Sequence, residues 1–201
     1  MSESATAVVA SSELLDVIQR RWSPRAFADR PVPADELNLA LEAARWAASS
    51  MNDQPWHFLV GDKYSNPEAY DRIFDTLVPF NQAWAKSAPV LIMVVARKVF
   101  AYNGKPSPTA LYDTGMAAGQ LVLQATALGL VTHQMGGFDH AKAHELLGIP
   151  ENHEAVAVMA VGWPGDPETL PAELRDREKA PRQRKPVSDF VFGGQWGQPL
   201  S

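Results

Sequence analysis

The chain contains no cysteine. That removes disulfides, thiolate metal sites, iron–sulfur clusters and a thiol nucleophile. G-x-G-x-x-G and G-x-x-x-x-G-K-[ST] are both missing, so neither a Rossmann dinucleotide site nor a P-loop is indicated. H-E-x-x-H and G-x-S-x-G are missing too. No apolar run approaches the roughly 20 residues a membrane-spanning helix needs. The longest, 117–131, is interrupted by Gln120 and Gln124 and follows Asp113. At the start, MSESATAVVASSELLDVI has no basic n-region, and its apolar AVVA is too short for a signal peptide. Positive charge is in deficit: 18 Lys and Arg face 23 Asp and Glu, for a net charge of −5. That argues against a nucleic-acid partner, whose affinity comes largely from phosphate neutralisation. Together these absences point to a cytoplasmic protein that engages neither nucleic acid nor a membrane.

What is present suits one globular domain over residues 1–201, or one subunit of an intimate oligomer. The chain is 46% hydrophobic and 20% charged. Residues 1–11 are expected to be flexible. Residues 12–21 read as a short amphipathic helix through Leu14, Leu15 and Ile18. A second helix starts near Pro33, with Asp35 and Glu36 in its first turn and Leu37, Leu41, Ala44 and Ala48 at helical spacing. WHFLVG (56–61) reads as a strand, 67–77 and 81–87 as helices, and PVLIMVVA (89–96) as a strand covered on both faces. An Asn-Gly and two prolines mark 100–109 as a loop. Residues 110–130 form a long buried helix whose Gly115, Ala118 and Gly119 admit a close neighbour. VTHQMGGF is a short strand ending in a glycine turn, 139–147 a helix and 154–162 a buried strand. From 164 to 201 the chain turns proline-rich and charged. It reads as an extended arm, too polar for core and too aromatic (Phe190, Phe192, Trp196) to be idle; disorder is the plainer alternative. Four buried strands among five or six helices fit an α+β or α/β layered fold.

Four stretches could carry chemistry. RRWSPRAF (20–27) sets Arg20, Arg21 and Arg25 around Trp22 and Ser23. Guanidinium groups bind phosphate through forked hydrogen bonds, and Pro24 keeps Ser23 extended. The same arginines also fit a solvated helix end. KAPRQRKP (179–186) holds Arg182 and Arg184 two apart, so they point the same way in an extended chain; a basic tail segment is the alternative. SSMNDQPWHF (49–58) offers Ser49, Ser50, Asn52 and Gln54 as donors and acceptors for a flat, neutral ring, or is an ordinary loop. HQMGGF (133–138) brings adjacent glycines to a strand end, where backbone N–H groups can approach a flat ligand, or makes a simple turn. His140 and His144 stand four apart on a helix, but no third metal ligand sits at a telling spacing.

In order and spacing these stretches resemble the FMN-dependent nitroreductases over about residues 14–191. The resemblance rests on RRWSPRAF, SSMNDQPWHF, MGGF and RQRKPVSDFV. It implies a three-layer α+β fold with a mostly antiparallel sheet, a long central helix at a homodimer interface, and a C-terminal arm exchanged between subunits. It implies tightly bound FMN. Arg21 and Ser23 would hold the phosphate with Arg20 assisting, Trp22 would contribute backbone, and Arg25 would stand near flavin N1 and O2. Ser49, Ser50 and Asn52, with Gln54 close by, would reach the partner subunit's flavin. Gln134, Met135, Gly136 and Gly137 would pass over the ring edge near N5, Asn81 would face the pyrimidine side, and Arg182 and Arg184 would return to the phosphate. The activity implied is ping-pong hydride transfer from NADH or NADPH, through flavin N5, to a small electron-poor acceptor such as a nitroaromatic or a quinone. No catalytic side chain or metal is implied. The sequence departs from many relatives at Ala48 and Gly136, and the 97–109 loop is short. Rival readings are dehalogenation or flavin cleavage on the same scaffold, a flavin store or sensor without turnover, and a phosphate-binding protein without flavin.

Overall fold

The computed structural model describes residues 14–200. The stretch 1–11 lies outside them, as do residues 12 and 13, where the first helix is expected to begin. That helix, α1 (Asp16–Arg20), is little more than one turn, and Arg21 has already left it with ψ 125°.

One sheet organises the fold. Strands β1 (Trp56–Asp62), β2 (Val90–Arg97), β3 (Val131–Met135) and β4 (His153–Gly162) lie in the order β1-β2-β4-β3. Every pairing is antiparallel, which selects α+β over α/β. The apolar run of β2 is buried on both faces. Because successive side chains alternate across a strand, the run feeds two cores. Leu91, Met93 and Val95 enter one, with Ile73, Trp84 and Ala143. Those three come from helices α3 (Pro67–Phe74), α4 (Pro79–Ala85) and α6 (His140–Leu147). Val90, Ile92 and Val94 enter the other, with Leu37 and Ala40 of α2 (Ala34–Arg45) and Leu121 and Ala125 of α5 (Ala110–Ala127). The result is helix, sheet, helix: three layers with two cores.

The chain after Trp163 departs from expectation. Residues 164–179 are not an extended arm: they hold a further helix, α7 (Ala172–Lys179). Leu170, Leu174 and Glu178, four apart, are all buried, and the two leucines join the first core. Leu174, with Leu170 just ahead of the helix, is enough to seat it among its charged neighbours. Residues 180–190, beyond α7, are exposed throughout.

Candidate functional site

The segment 20–27 is held mainly through its backbone. Ala28 N donates to Trp163 O at 3.0 Å and Gly165 N to Ala26 O at 3.0 Å. The approach is so close that a Cβ on Gly165 would lie 2.4 Å from the Phe27 carbonyl carbon. Glu178 of α7 is 7% exposed. Its Oε1 accepts from Arg25 N at 2.9 Å and Ala26 N at 3.0 Å, and its Oε2 from Arg25 N at 3.0 Å. His133 of β3 donates from Nδ1 to Pro24 O at 3.0 Å. Burial, with the charge of Arg25 adding to it, pushes the His133 imidazole down to about 4 despite that bond.

The two basic segments meet. Arg182 Nη1 donates to Arg21 O at 3.0 Å, and Arg21 Nη1 donates to Ser23 Oγ at 3.2 Å. Burial lowers the pKa of Arg21, and the charges of Arg184 and then Arg182 lower it further. Among the described residues none of these three arginines has an acidic partner, whereas Arg20 pairs with Asp16 and Lys179 with Glu168. Mutually repelling, unpaired guanidinium groups are the arrangement an anion would relieve. The Arg25 guanidinium lies 5.9 Å from the centre of the Trp84 ring, and its Nε is buried with no partner. Trp22 is half-buried.

From this cluster an open cleft of about 570 Å³ runs along α5, lined by Ile18, Arg21, Met116, Gly119, Leu123 and Gln134. Gln134 is exposed at the end of β3, while Met135 is core at 3% exposure, so only its backbone can face a ligand. A Cβ on Gly136 would meet nothing within 4 Å, but one on Gly137 would lie 2.7 Å from Asn81 Nδ2. Asn81, 9% exposed, donates from that nitrogen to Gly137 O at 2.9 Å. The residues assigned to the N5 edge and the pyrimidine side therefore touch each other.

The polar loop 49–54 is tied to the start of α5. Met51, Asn52 and Gln54 sit in the left-handed region at φ 55°, 53° and 48°. Such backbone costs about 1–3 kcal/mol per residue and persists only where its surroundings enforce it. Buried Asp113 accepts from Ser50 N at 3.1 Å, and Ser49 Oγ accepts from Gln54 N at 3.0 Å. Asp53, its side chain 3% exposed, holds Arg97 at 2.9 Å and the Ala101 amide at 2.8 Å. Burial opposes its ionisation, but the amide and Arg97 prevail and keep its carboxyl below the usual range. Gln54 Nε2 donates to Asn52 O at 3.3 Å and to Asn52 Oδ1 at 3.2 Å.

Sequence reasoning missed Glu178, His133, Asp113 and Asp53. Glu178 had a signal in the four-residue spacing from Leu170 and Leu174. The others had none, because an acid or histidine that binds distant backbone is not marked by its neighbours.

Compared with known proteins, residues 18–163 match the nitroreductase family profile. The chain belongs to the nitroreductase family. A solved structure described as an oxidoreductase containing FMN is 36% identical, with a TM-score of 0.88, over 98% of this chain and 100% of that one. An Archaeoglobus fulgidus protein, provisionally named NADH dehydrogenase/NAD(P)H nitroreductase, is 30% identical over 158 residues, 77% of this chain and 87% of its own. A 15.4 kDa protein of Mycolicibacterium smegmatis is 33% identical over 151 residues, 71% of this chain and 99% of its own.

Proposed function

We propose that this chain is an FMN-dependent NAD(P)H oxidoreductase that works as a homodimer of single-domain subunits. The observation that carries the reading is the unpaired cluster of Arg21, Arg182 and Arg184, drawn from segments some 160 residues apart in the chain. The residues present fit FMN. The cluster suits its phosphate, the cleft has the volume of a small-ligand site, and the buried Arg25 Nε still needs an acceptor.

Arg21, Ser23, Arg182 and Arg184 would bind the phosphate. Arg25 would lie against the pyrimidine edge, where a fixed cation favours added negative charge. Gly136 leaves room for a flat ring, and Asn81 packs against Gly137 and holds its carbonyl. The chemistry that bound FMN supplies is a ping-pong hydride relay through N5, from NADH or NADPH to an electron-poor acceptor such as a nitroaromatic or a quinone. No protein acid or base is needed for that step, in keeping with a site made of arginines, amides and glycines.

A second subunit would complete the site. Ser49, Ser50, Asn52 and Gln54 would reach the flavin of the other subunit, and the strained loop that carries them includes exposed Met51 and is tied to Asp113, next to exposed Tyr112. Trp46 (73% exposed) overhangs an apolar groove of about 480 Å³ between α1, α2 and α5, and Trp196 (92%) is bare on the arm. Surfaces of this kind mark interfaces.

The purified protein should be yellow with flavin absorbance bands, should bleach when NADH or NADPH is added without oxygen, and should recover colour with a quinone. Colourless protein that takes up no added FMN rules the reading out. Colour without bleaching makes it a flavin store. Sedimentation should give a dimer.

A further inference from the structure

We propose that Glu178 and His133 are positioning residues that grip the two poles of one peptide bond, Pro24–Arg25, and so set where the Arg25 guanidinium stands. This rests on the FMN reading above and deepens it.

The Pro24 carbonyl and the Arg25 N–H belong to one planar unit. His133 donates to the oxygen end at 3.0 Å, and Glu178 accepts from the nitrogen end at 2.9 and 3.0 Å. Any turn of that plane breaks bonds at both ends together. The polarity is also right: an anion sits at the positive pole of the peptide dipole and an N–H donor at the negative pole, and bonds to a carboxylate are the stronger kind. Trp84, 2% exposed, is the shared floor, with the His133 ring centred 4.6 Å away and the Arg25 guanidinium 5.9 Å away.

A buried acid beside a cationic cluster could pair with it. Among the described residues Glu178 makes no ion pair: it accepts from the Arg25 and Ala26 backbone, and Arg25 Nε keeps no partner. The acid fixes the cation's base and leaves its head free. His133 avoids the opposite fault: held neutral, it does not repel Arg25. Glu178 stands on α7, beyond the stretch 18–163 that matches the family, whereas Arg25 and His133 lie within it.

The test compares Glu178→Ala, His133→Phe and His133→Asn, alone and combined with Arg25→Ala. FMN Kd is measured by titrating flavin-free protein and following flavin fluorescence. The flavin midpoint potential and the melting temperature of the flavin-free protein are measured alongside. Glu178→Ala and His133→Phe should each raise Kd roughly tenfold, the scale of one lost buried hydrogen bond, and make the potential more negative. His133→Asn, which retains a donor at the Nδ1 position, should recover most of both. With Arg25 already alanine, Glu178→Ala should add less than about twofold, since the group it acts through is gone. A lower melting temperature with Kd and potential unmoved, or full additivity with Arg25→Ala, overturns the proposal. Should Glu178→Ala not fold, the His133 pair decides by the same criteria. Wild-type protein that binds no FMN sinks the cofactor reading; wild type and variants binding alike sinks only the grip.

Discussion

Arg21 shows how one residue is read through its neighbours. Burial, and then crowding by Arg184 and Arg182, already works against its charge, so an anion bound there relieves a strain the protein carries when free. Arg21→Ala should weaken FMN binding by about 2–5 kcal/mol, the usual cost of truncating one partner of a charged, hydrogen-bonded pair. Equilibrium titration of the variant checks this, and an unchanged Kd removes Arg21 from the phosphate. His133 makes a prediction about acid. Its folded-state value of about 4 lies below the ordinary 6.5, so the unfolded chain takes up the proton first. Stability should therefore fall as pH drops from about 6.5 to about 4 and stop falling from this cause below that. Melting temperatures across that window should slope less in His133→Asn than in wild type.

At the scale of elements, α7 and the glycine turn are the instructive parts. Leu174 is 4% exposed in the first core. Leu174→Ala should cost about 2–5 kcal/mol, and because the same helix presents Glu178 it should loosen FMN as well. Thermal melting and a flavin titration read the two effects separately. Gly136 and Gly137 should differ sharply. Gly136→Ala meets open space, whereas Gly137→Ala drives a methyl into Asn81 and breaks its bond to the Gly137 carbonyl; the loss should be about 1–3 kcal/mol. Most elements were legible beforehand because their periodicity is strong: α2, α5 and the four strands fall within a few residues of expectation. α7 was not, because one leucine among eight mostly charged residues looks like a solvated tail. By composition the arginine segments were only candidates for an anion site, beside a solvated helix end and a basic tail; it was the family resemblance that tied both to one phosphate. What holds them was not legible, since Glu178, 153 residues from Arg25, acts on backbone that carries no sequence signature.

For the whole molecule, the three layers leave one long face of α5 and its surroundings with apolar side chains in the open, among them Leu111, Tyr112 and Trp46. Association should cover them. Trp46→Glu, placing a charge on that face, should shift the protein toward monomer in sedimentation and lower FMN occupancy with it, since loop 49–54 then has no partner to reach. Monomer with full occupancy contradicts the shared site. The meeting of Arg21 with Arg182 has one more consequence, in time rather than space. On the proposed reading, a growing polypeptide would complete its clasp on the vitamin-derived pigment only once residue 182 has left the ribosome, after the residues of both cores have been made. Loading would then follow folding instead of guiding it, and a protease nick at 180 or 181, just beyond α7, should cost the protein its colour without dismantling its sheet.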